Sequence, residues 1–217
     1  MIVRHPAFRG GKSCRALTSH IDVAPTLVAF TGMPSDTRAS ITGPNVKGSS
    51  FAHLLARPER AEINAIREAA LFNYAMLLYY DSERMLAEFE TMRERGVAAA
   101  EMHRHAAALQ PDLNLRGAIR SVFDGRYRFS RYFALAHFNE PTTLADLLAN
   151  NDVELYDLYS DPGEMNNLAA QSSVHGELMM EMNAKLTRLM RNEVGNDDLS
   201  SLPFVDGRLQ FHFNGHA

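Results

Sequence analysis

Two strand-like runs, "GAIRSVF" and "RYRFSRYF", are separated by only two residues, Asp124 and Gly125. Asp-Gly is a favoured pair for the centre of a type I′ turn, in which both central residues have a positive φ. Strands joined by so short a turn pair with each other in the antiparallel direction. The feature therefore predicts strands over 118–123 and 126–133, and with them an antiparallel sheet.

A third strand and a tight corner follow the hairpin. Residues 153–159, "VELYDLY", are rich in β-branched, aromatic and aliphatic side chains, which predicts a strand buried on both faces or nearly so. In the corner that ends it, Asp161 can cap a new helical turn, Pro162 suits the first position of that turn, and Glu164 lies three residues after the cap. The pattern predicts a strand that turns directly into a helical segment.

A long helix is expected after the corner, near residues 174–192. Its last turn is followed by Gly195, and its apolar residues recur at helical spacing: Met179, Met182, Leu186 and Leu189. An apolar helix face and an apolar sheet face are buried against each other in a stable domain. We therefore predict an α+β fold, with the helix lying across one face of the antiparallel sheet.

The N-terminal part of the chain predicts a strand and a helix. Residues 2–4 have the character of a strand, and a helix follows with Asp22 as its N-cap, Pro25 in its first turn and Gly32 after its end. The next segment, residues 33–50, is polar and punctuated by Gly and Pro, which indicates a loop between domains.

The middle of the chain predicts a strand and two helices. The strand is expected within residues 68–78, and Asp81 or Ser82 caps the first helix. An alanine-rich second helix ends at Pro111. The first helix carries apolar residues at helical spacing, which are Met85, Phe89 and Met92.

Length and charge narrow the classes of function. The 217 residues are enough for one large domain or two small ones, and the net charge of −4 gives no overall attraction to nucleic acid or to an anionic membrane. We accordingly expect neither as a partner. No apolar run is long enough to span a bilayer. Cys14 is the only cysteine, so no intrachain disulfide can form, and the compartment stays open.

Two groups of residues are weak candidates for chemistry. Cys14 and His20 could form a nucleophile and base, but a lone loop cysteine is more often a small, partly buried residue. Glu101 and His105 are four residues apart on a helix and could begin a zinc site, with His103 nearby. A third ligand is not indicated, so a solvated helix face is the preferred interpretation.

The hairpin and the loop after it carry residues suited to binding an anion. Arg126 and Arg128 alternate on one strand, with Arg120 on the partner strand and Arg131 nearby; guanidinium groups bind sulfate or phosphate bidentately. The alternative is a charged, solvent-exposed sheet face. The irregular loop 134–143 holds His137 and Asn139 and could contact substrate. The candidate substrate-binding residues are therefore His137, Asn139, Arg126 and Arg128, and no catalytic or metal-binding residue is assigned.

Two stretches together resemble a known family. "VRHPAFRGGKSCRALTSHIDVAPTLVAFTGM" is similar to the sulfatase pattern of a strand, a basic loop, "SH-x-D-x-x-PTL" and a closing glycine. "DGRYRFSRY" followed by "VELYDLYSDPGEMNNLA" resembles the C-terminal region of the same family, and "GSSFAHLLA" resembles the short segment between them. Residues 80–115 and the C-terminal tail have no such counterpart.

The resemblance implies a fold and a reaction. Sulfatases have an alkaline-phosphatase-like architecture, in which a large α/β domain is followed by a smaller domain with a four-stranded antiparallel sheet and a long helix. On this basis residues 1–45 are expected to be the C-terminal edge of the α/β domain, a strand–helix remnant. Residues 46–217 are expected to be the C-terminal α+β domain, with a helical insertion near 80–115. The family hydrolyses sulfuric esters with a formylglycine and a calcium or magnesium ion.

The sequence departs from the family at the residues that carry this chemistry. Formylglycine is made within a C/S-x-P-x-R motif, and Cys14 lies instead in "SCRAL". The aspartates that hold the metal are missing as well, and Lys12 is in the wrong place to be the family's catalytic lysine. The resemblance therefore implies that nucleophile and metal belong to a segment upstream of these residues, and that this chain alone holds no cofactor and is inactive.

We accordingly interpret the chain as the C-terminal part of a sulfatase-like enzyme. Its partners would be a sulfate-ester substrate in the full-length enzyme and either the missing N-terminal segment or a second copy of itself. Two alternatives stay open: a non-catalytic binding module derived from a sulfatase, and a phosphonate or phosphate ester hydrolase of the same superfamily.

Overall fold

The computed structural model describes residues 1–34, 37, 40–41, 43, 46–76, 82–108, 113–137, 140–195, 204–205 and 208–209. The predicted helix end at Pro111, the candidate Asn139 and most of the C-terminal tail lie outside these residues.

Four antiparallel strands form the main sheet. They are β1 (Ala70–Ala75), β2 (Ala118–Phe123), β3 (Tyr127–Phe133) and β4 (Asn151–Asp157), and their order in the sheet is the order in the chain. Two further short strands, β5 (Phe204–Val205) and β6 (Arg208–Leu209), pair with each other. The antiparallel sheet predicted from the hairpin is confirmed, including the strand expected within residues 68–78.

The turn between β2 and β3 differs from the predicted one. Phe123 is opposite Arg128 rather than opposite residue 126, so the two central residues are Gly125 and Arg126. Gly125 has φ +101, and Arg126 is not in the positive-φ region, a pattern that belongs to type II′ turns rather than type I′. The side chain of Asp124 accepts the amides of Arg126 and Tyr127 at 3.0 and 2.8 Å and stabilises this turn.

The helices follow the predicted pattern closely. They are α1 (Val23–Ala29), α2 (Ser82–Glu94), α3 (Ala99–Ala108), α4 (Leu144–Asn150) and α5 (Ser172–Leu189), and α5 continues as a π-helical turn, Met190–Val194. Short 3-10 turns lie at His20–Asp22, Ala52–Ala56, Pro58–Arg60, Leu135–His137 and Leu168–Gln171. Gly195, with φ +106, follows the π turn as predicted.

The core lies between α5 and one face of the sheet. From the sheet, Val122, Phe129 and Leu155 are fully buried, one on each of three neighbouring strands. The helix supplies the predicted stripe, of which Met179, Met182 and Leu186 are also fully buried. The apolar face of the sheet and the apolar face of the helix are buried against each other here. The predicted α+β architecture is therefore confirmed.

The corner after β4 is built differently from the prediction. No helical turn begins at Pro162, and the strand ends at Asp157 rather than Tyr159. Asp161 instead accepts the amides of Met165 and Asn166 at 3.1 and 2.8 Å. β4 is an edge strand covered on one face by the helix, so only that face is buried, which corrects the expectation of burial on both faces.

The N-terminal residues contain the predicted helix but not the predicted strand. Residues 2–4 have no partner strand among the described residues, and Ile2 is 99% exposed. A strand exists only where its backbone groups pair with a neighbour, and apolar composition alone does not provide one. Gly32, with φ +73, follows α1 as predicted.

Candidate functional site

Two of the predicted anion-binding residues lie at the hairpin end of β3 but have partners on different faces of the sheet. Arg126 lies over the ring of Tyr127 and pairs with Asp157, two residues on the face of Phe129 and Leu155, whereas Arg128 lies on the face away from α5. His137 ends the 3-10 turn after the opposite end of β3, and Asn139 lies outside the described residues. The two arginines are therefore near in sequence but not grouped on one face, and His137 is at the other end of the strand.

Arg126 is engaged by a carboxylate from the neighbouring strand. Its Nε and Nη2 donate to the two oxygens of Asp157 at 3.1 and 2.8 Å, a bidentate arrangement. The pair holds the pKa of Asp157 at about 2, well below its usual value. The Arg126 side chain remains 56% exposed.

Arg128 also has a carboxylate partner. Its guanidinium donates to Glu164 of the corner after β4 and lies over the ring of Phe123, 5.8 Å from the ring centroid. Glu164 has φ +54, a left-handed conformation that is uncommon for a residue other than glycine. The predicted corner residue therefore helps to hold the predicted anion-binding residue.

The other two arginines of the hairpin lie on the face opposite to that of Arg128. Arg120 and Arg131 are direct cross-strand neighbours, each 2% exposed, on the face that also bears Val122 and Phe129. Both guanidinium groups lie over the ring of Phe133, at 4.9 and 5.8 Å from its centroid. Burial lowers the pKa of each to about 10, and at Arg120 the neighbouring charge of Arg131 contributes to the lowering. These two do not belong to a solvent-exposed anion site.

A buried ion network was missed by sequence reasoning. The Asp22 side chain is fully buried and receives Nε and Nη2 of Arg67 at 3.0 and 2.5 Å. It also accepts the amides of Ser19 and Ser49 at 2.7 and 2.8 Å. Asp22 is the N-cap residue of α1 by position, as predicted, but its carboxylate makes no capping bond to that helix. The carboxylate accepts the Ser19 amide instead, in a capping box of the preceding 3-10 turn.

Arg67 extends this network to the end of the long helix. Its Nη1 donates to Glu193 at 2.5 Å, and burial raises the pKa of Glu193 although the charge of Arg67 opposes this. The network joins three segments that are distant in sequence: the start of α1, residues 49–67 and the π turn after α5. A lone arginine in "INAIREAA" gives no sequence signal for this role.

The weaker candidates are not brought together into a site. Cys14 is exposed. His105 Nε2 is 3.3 Å from Glu88 on α2, while His103 lies against its own helix at the carbonyl of Ala99, 3.0 Å away. Among the residues that the structure describes, no three His, Cys, Asp or Glu side chains are grouped so that they could hold a metal ion.

The described residues do not fit the cofactors of a sulfatase. Calcium needs several oxygen ligands around one point, and no described carboxylates are grouped in that way; Asp22 and Asp157, for example, are each bound by an arginine. A formylglycine would need the C/S-x-P-x-R motif, which does not occur around Cys14. In the described part of the chain, every helix is too short or too polar to cross a membrane.

Comparison with known proteins identifies the fold. The sequence matches no family model and no curated protein. The solved structure of BT4656, in complex with its substrate D-glucosamine-2-N,6-O-disulfate, matches 92% of this chain with a TM-score of 0.53 and 17% identity. The fold is that of the C-terminal part of a sulfatase.

Two further solved structures show a looser likeness to this sulfatase fold. BT1596, a 2-O GAG sulfatase, has 18% identity over 83% of this chain and a TM-score of 0.46. The phosphonate monoester hydrolase of Agrobacterium radiobacter has 20% identity over 82% of this chain and a TM-score of 0.45.

The chain spans a small part of these proteins. It covers 29% of the BT4656 chain and 26% of each of the other two. At such low identity the likeness establishes the fold, so the activities of those proteins do not pass to this chain without further evidence.

Proposed function

We propose that this chain is the C-terminal part of a sulfatase-like hydrolase, acting on sulfuric esters together with polypeptide outside these 217 residues. The observation that carries the proposal is the match to 92% of this chain but only 29% of BT4656. In this proposal residues 46–217 are the C-terminal domain and residues 1–45 the edge of the catalytic domain. Nucleophile and metal, a formylglycine with calcium or magnesium, would come from the other segment.

The buried ion network supports the proposed arrangement of the two parts. A fully buried carboxylate is costly unless it is paired and hydrogen-bonded, and Asp22 is both. Two of its partners, the Ser49 amide and Arg67, come from beyond residue 45, so in this proposal the network fixes the start of α1 to the C-terminal domain. A catalytic segment attached through α1 would then be held in a defined orientation.

The finer part of the proposal is that Arg126 and Arg128 contact the substrate. A sulfate group would reach Arg126 or Arg128 by sharing or displacing Asp157 and Glu164, which hold these guanidinium groups now. His137, with Asn139, would contribute from the loop at the other end of β3. The BT4656 complex with a disulfated glucosamine makes sulfated saccharides the first substrate class to test.

The test begins with the chain as it stands. With calcium and 4-nitrophenyl sulfate, we expect no sulfate release by the purified chain. Turnover that persists in the Cys14→Ala variant would overturn the proposal, because an unrecognised group in this chain would then be catalytic.

The decisive test uses the coding sequence upstream of Met1. We expect an in-frame C/S-x-P-x-R motif there, and metal-dependent sulfate release by the longer protein that is lost when the motif's Cys or Ser is changed to Ala. Faster release from a phosphonate monoester than from a sulfate ester would favour the phosphonate alternative. The lack of any such motif would favour a non-catalytic module.

A further inference from the structure

We propose that the cleft between α2 and α3 binds a small organic anion with an apolar body. The cleft has a volume of about 600 Å³ and lies within the helical segment that has no counterpart in the sulfatase motifs. Ligand pockets in proteins typically have volumes of roughly 300–1,000 Å³. Residues from both helices and from the turn between them line it: Ala87, Glu88, Thr91, Met92, Arg95, Val97 and His105.

The cleft lies between two helices that contact each other through His105, which reaches Glu88 and Phe89. Neighbouring helices normally interdigitate at about 8–10 Å between axes and leave few voids larger than a water molecule. Here the α2 side of the gap carries the short side chains of Ala87 and Thr91, which do not fill it. The turn is fixed by Gly96, with φ +70, and by the Val97 amide, which donates to the Met92 carbonyl at 3.0 Å.

The wall of the cleft combines apolar and polar side chains. Ala87, Met92 and Val97 supply the apolar surface. His105, also in the lining, lies 3.3 Å from Glu88 and packs edge-on against the ring of Phe89, with 6.5 Å between ring centroids. The Glu88 carboxylate therefore already has a partner.

Arg95 supplies the charge that selects the ligand. Arg95 is exposed, and among the described residues its guanidinium makes no side-chain hydrogen bond or ion pair. The Glu88 carboxylate lies 3.3 Å from the His105 imidazole, so Arg95 is the guanidinium in the cleft lining that an anionic ligand can contact. A guanidinium presents a planar set of donors that binds a carboxylate, sulfate or sulfonate bidentately. A monoanion with an aromatic or aliphatic body would match both this charge and the apolar wall.

The site can be tested on the purified 217-residue chain with 2-naphthalenesulfonate as the probe and 2-naphthol as its uncharged counterpart. The readout is the ¹³C-methyl spectrum of the methionines, with the Met92 signal assigned from Met92→Leu. We expect the sulfonate to shift the Met92 methyl to saturation and 2-naphthol to bind at least about tenfold more weakly, the loss of one charge-assisted interaction. The test is independent of the proposed function, since it needs no catalytic segment.

A matched pair of variants separates the site from general charge effects. Arg95→Gln should weaken sulfonate binding about tenfold. Arg93→Gln removes the same charge from the same helix but not from the cleft lining, so it should change the affinity less than about twofold. Unchanged helical circular dichroism would show that both variants are folded. Equal losses in the two variants, no shift of Met92, or equal binding of sulfonate and naphthol would each overturn the proposal.

Discussion

At the scale of single residues, the Asp22 carboxylate is fully buried and bound by the guanidinium of Arg67, whose own side chain is 6% exposed. Removal of one member of a buried ion pair leaves the other charge without compensation. Arg67→Met should therefore lower the free energy of unfolding by about 3–5 kcal/mol, measured by urea titration.

An exposed ion pair offers the matching control for that substitution. Lys12 donates to Glu59 at 2.9 Å, with the two side chains 34% and 49% exposed. Lys12→Met should leave the free energy of unfolding nearly unchanged, because such exposed pairs are screened by water. If Arg67→Met were as mild as Lys12→Met, the start of α1 would not be anchored by the network.

A second residue-scale prediction concerns acid stability. The pKa of Asp157 is lowered to about 2 by Arg126, from 3.8 for an ordinary aspartate. A folded-state pKa below the unfolded one gives stability that is present above about pH 4 and is lost as the pH falls towards 2. Asp157→Asn should therefore lose less stability between pH 4 and pH 2 than the wild type does, measured by thermal unfolding across that range. A parallel decline in both proteins would show that the pair contributes nothing.

At the scale of elements, the apolar stripe of α5 is the main contact between helix and sheet. Met182 is fully buried against the sheet, whereas Val174 on the same helix is 69% exposed. Met182→Ala should lower the free energy of unfolding by about 2–5 kcal/mol through lost burial and a residual cavity. Val174→Ala should cost less than about 0.5 kcal/mol. Equal effects in chemical denaturation would contradict the assigned core.

The contact between α1 and residues 46–56 depends on a close backbone approach at Gly48. A Cβ atom there would lie 1.8 Å from the carbonyl oxygen of Ile21, so the two segments could not keep their present distance. Gly48→Ala should destabilise the chain by about 1–3 kcal/mol and disturb the bond from the Ser49 amide to Asp22. Gly10→Ala, where a Cβ meets nothing within 4 Å, is the control and should be near neutral.

At the scale of the whole molecule, protection against amide exchange should be uneven. Within residues 1–16 the amides of Ala7 and Phe8 donate hydrogen bonds, both to His5, whereas β2 and β3 have partners on both sides in the sheet. We expect fast exchange in residues 1–16 and slow exchange in 118–133 and in β4. Hydrogen–deuterium exchange followed by mass spectrometry measures this directly. Strong protection of residues 1–16 in a monomer would mean that this segment has a core of its own.

The sequence by itself determined the hairpin, the long helix and the face that this helix buries. The short loop at Asp124 and Gly125 and the 3.6-residue spacing in α5 are local patterns, so the pairing of β2 with β3 and the burial of Met179, Met182 and Leu186 could be predicted. The turn between β2 and β3 is not of the predicted type, but this difference does not change which face of each strand is buried. Moving the partner of Phe123 from residue 126 to Arg128 shifts the register by two residues, and a two-residue shift keeps every side chain on its own face.

Only the tertiary structure decided which charges face water and which are buried. Arg120 and Arg128 belong to the same arginine-rich hairpin. Arg120 is buried on the core face of the sheet, whereas Arg128 pairs with Glu164 on the outer face. The partnership of Asp22 with Arg67 spans 45 residues and has no local pattern. Hydrophobic burial follows the period of an element, which a sequence displays. The pairing of charges depends on which distant segments meet, which a single sequence does not display.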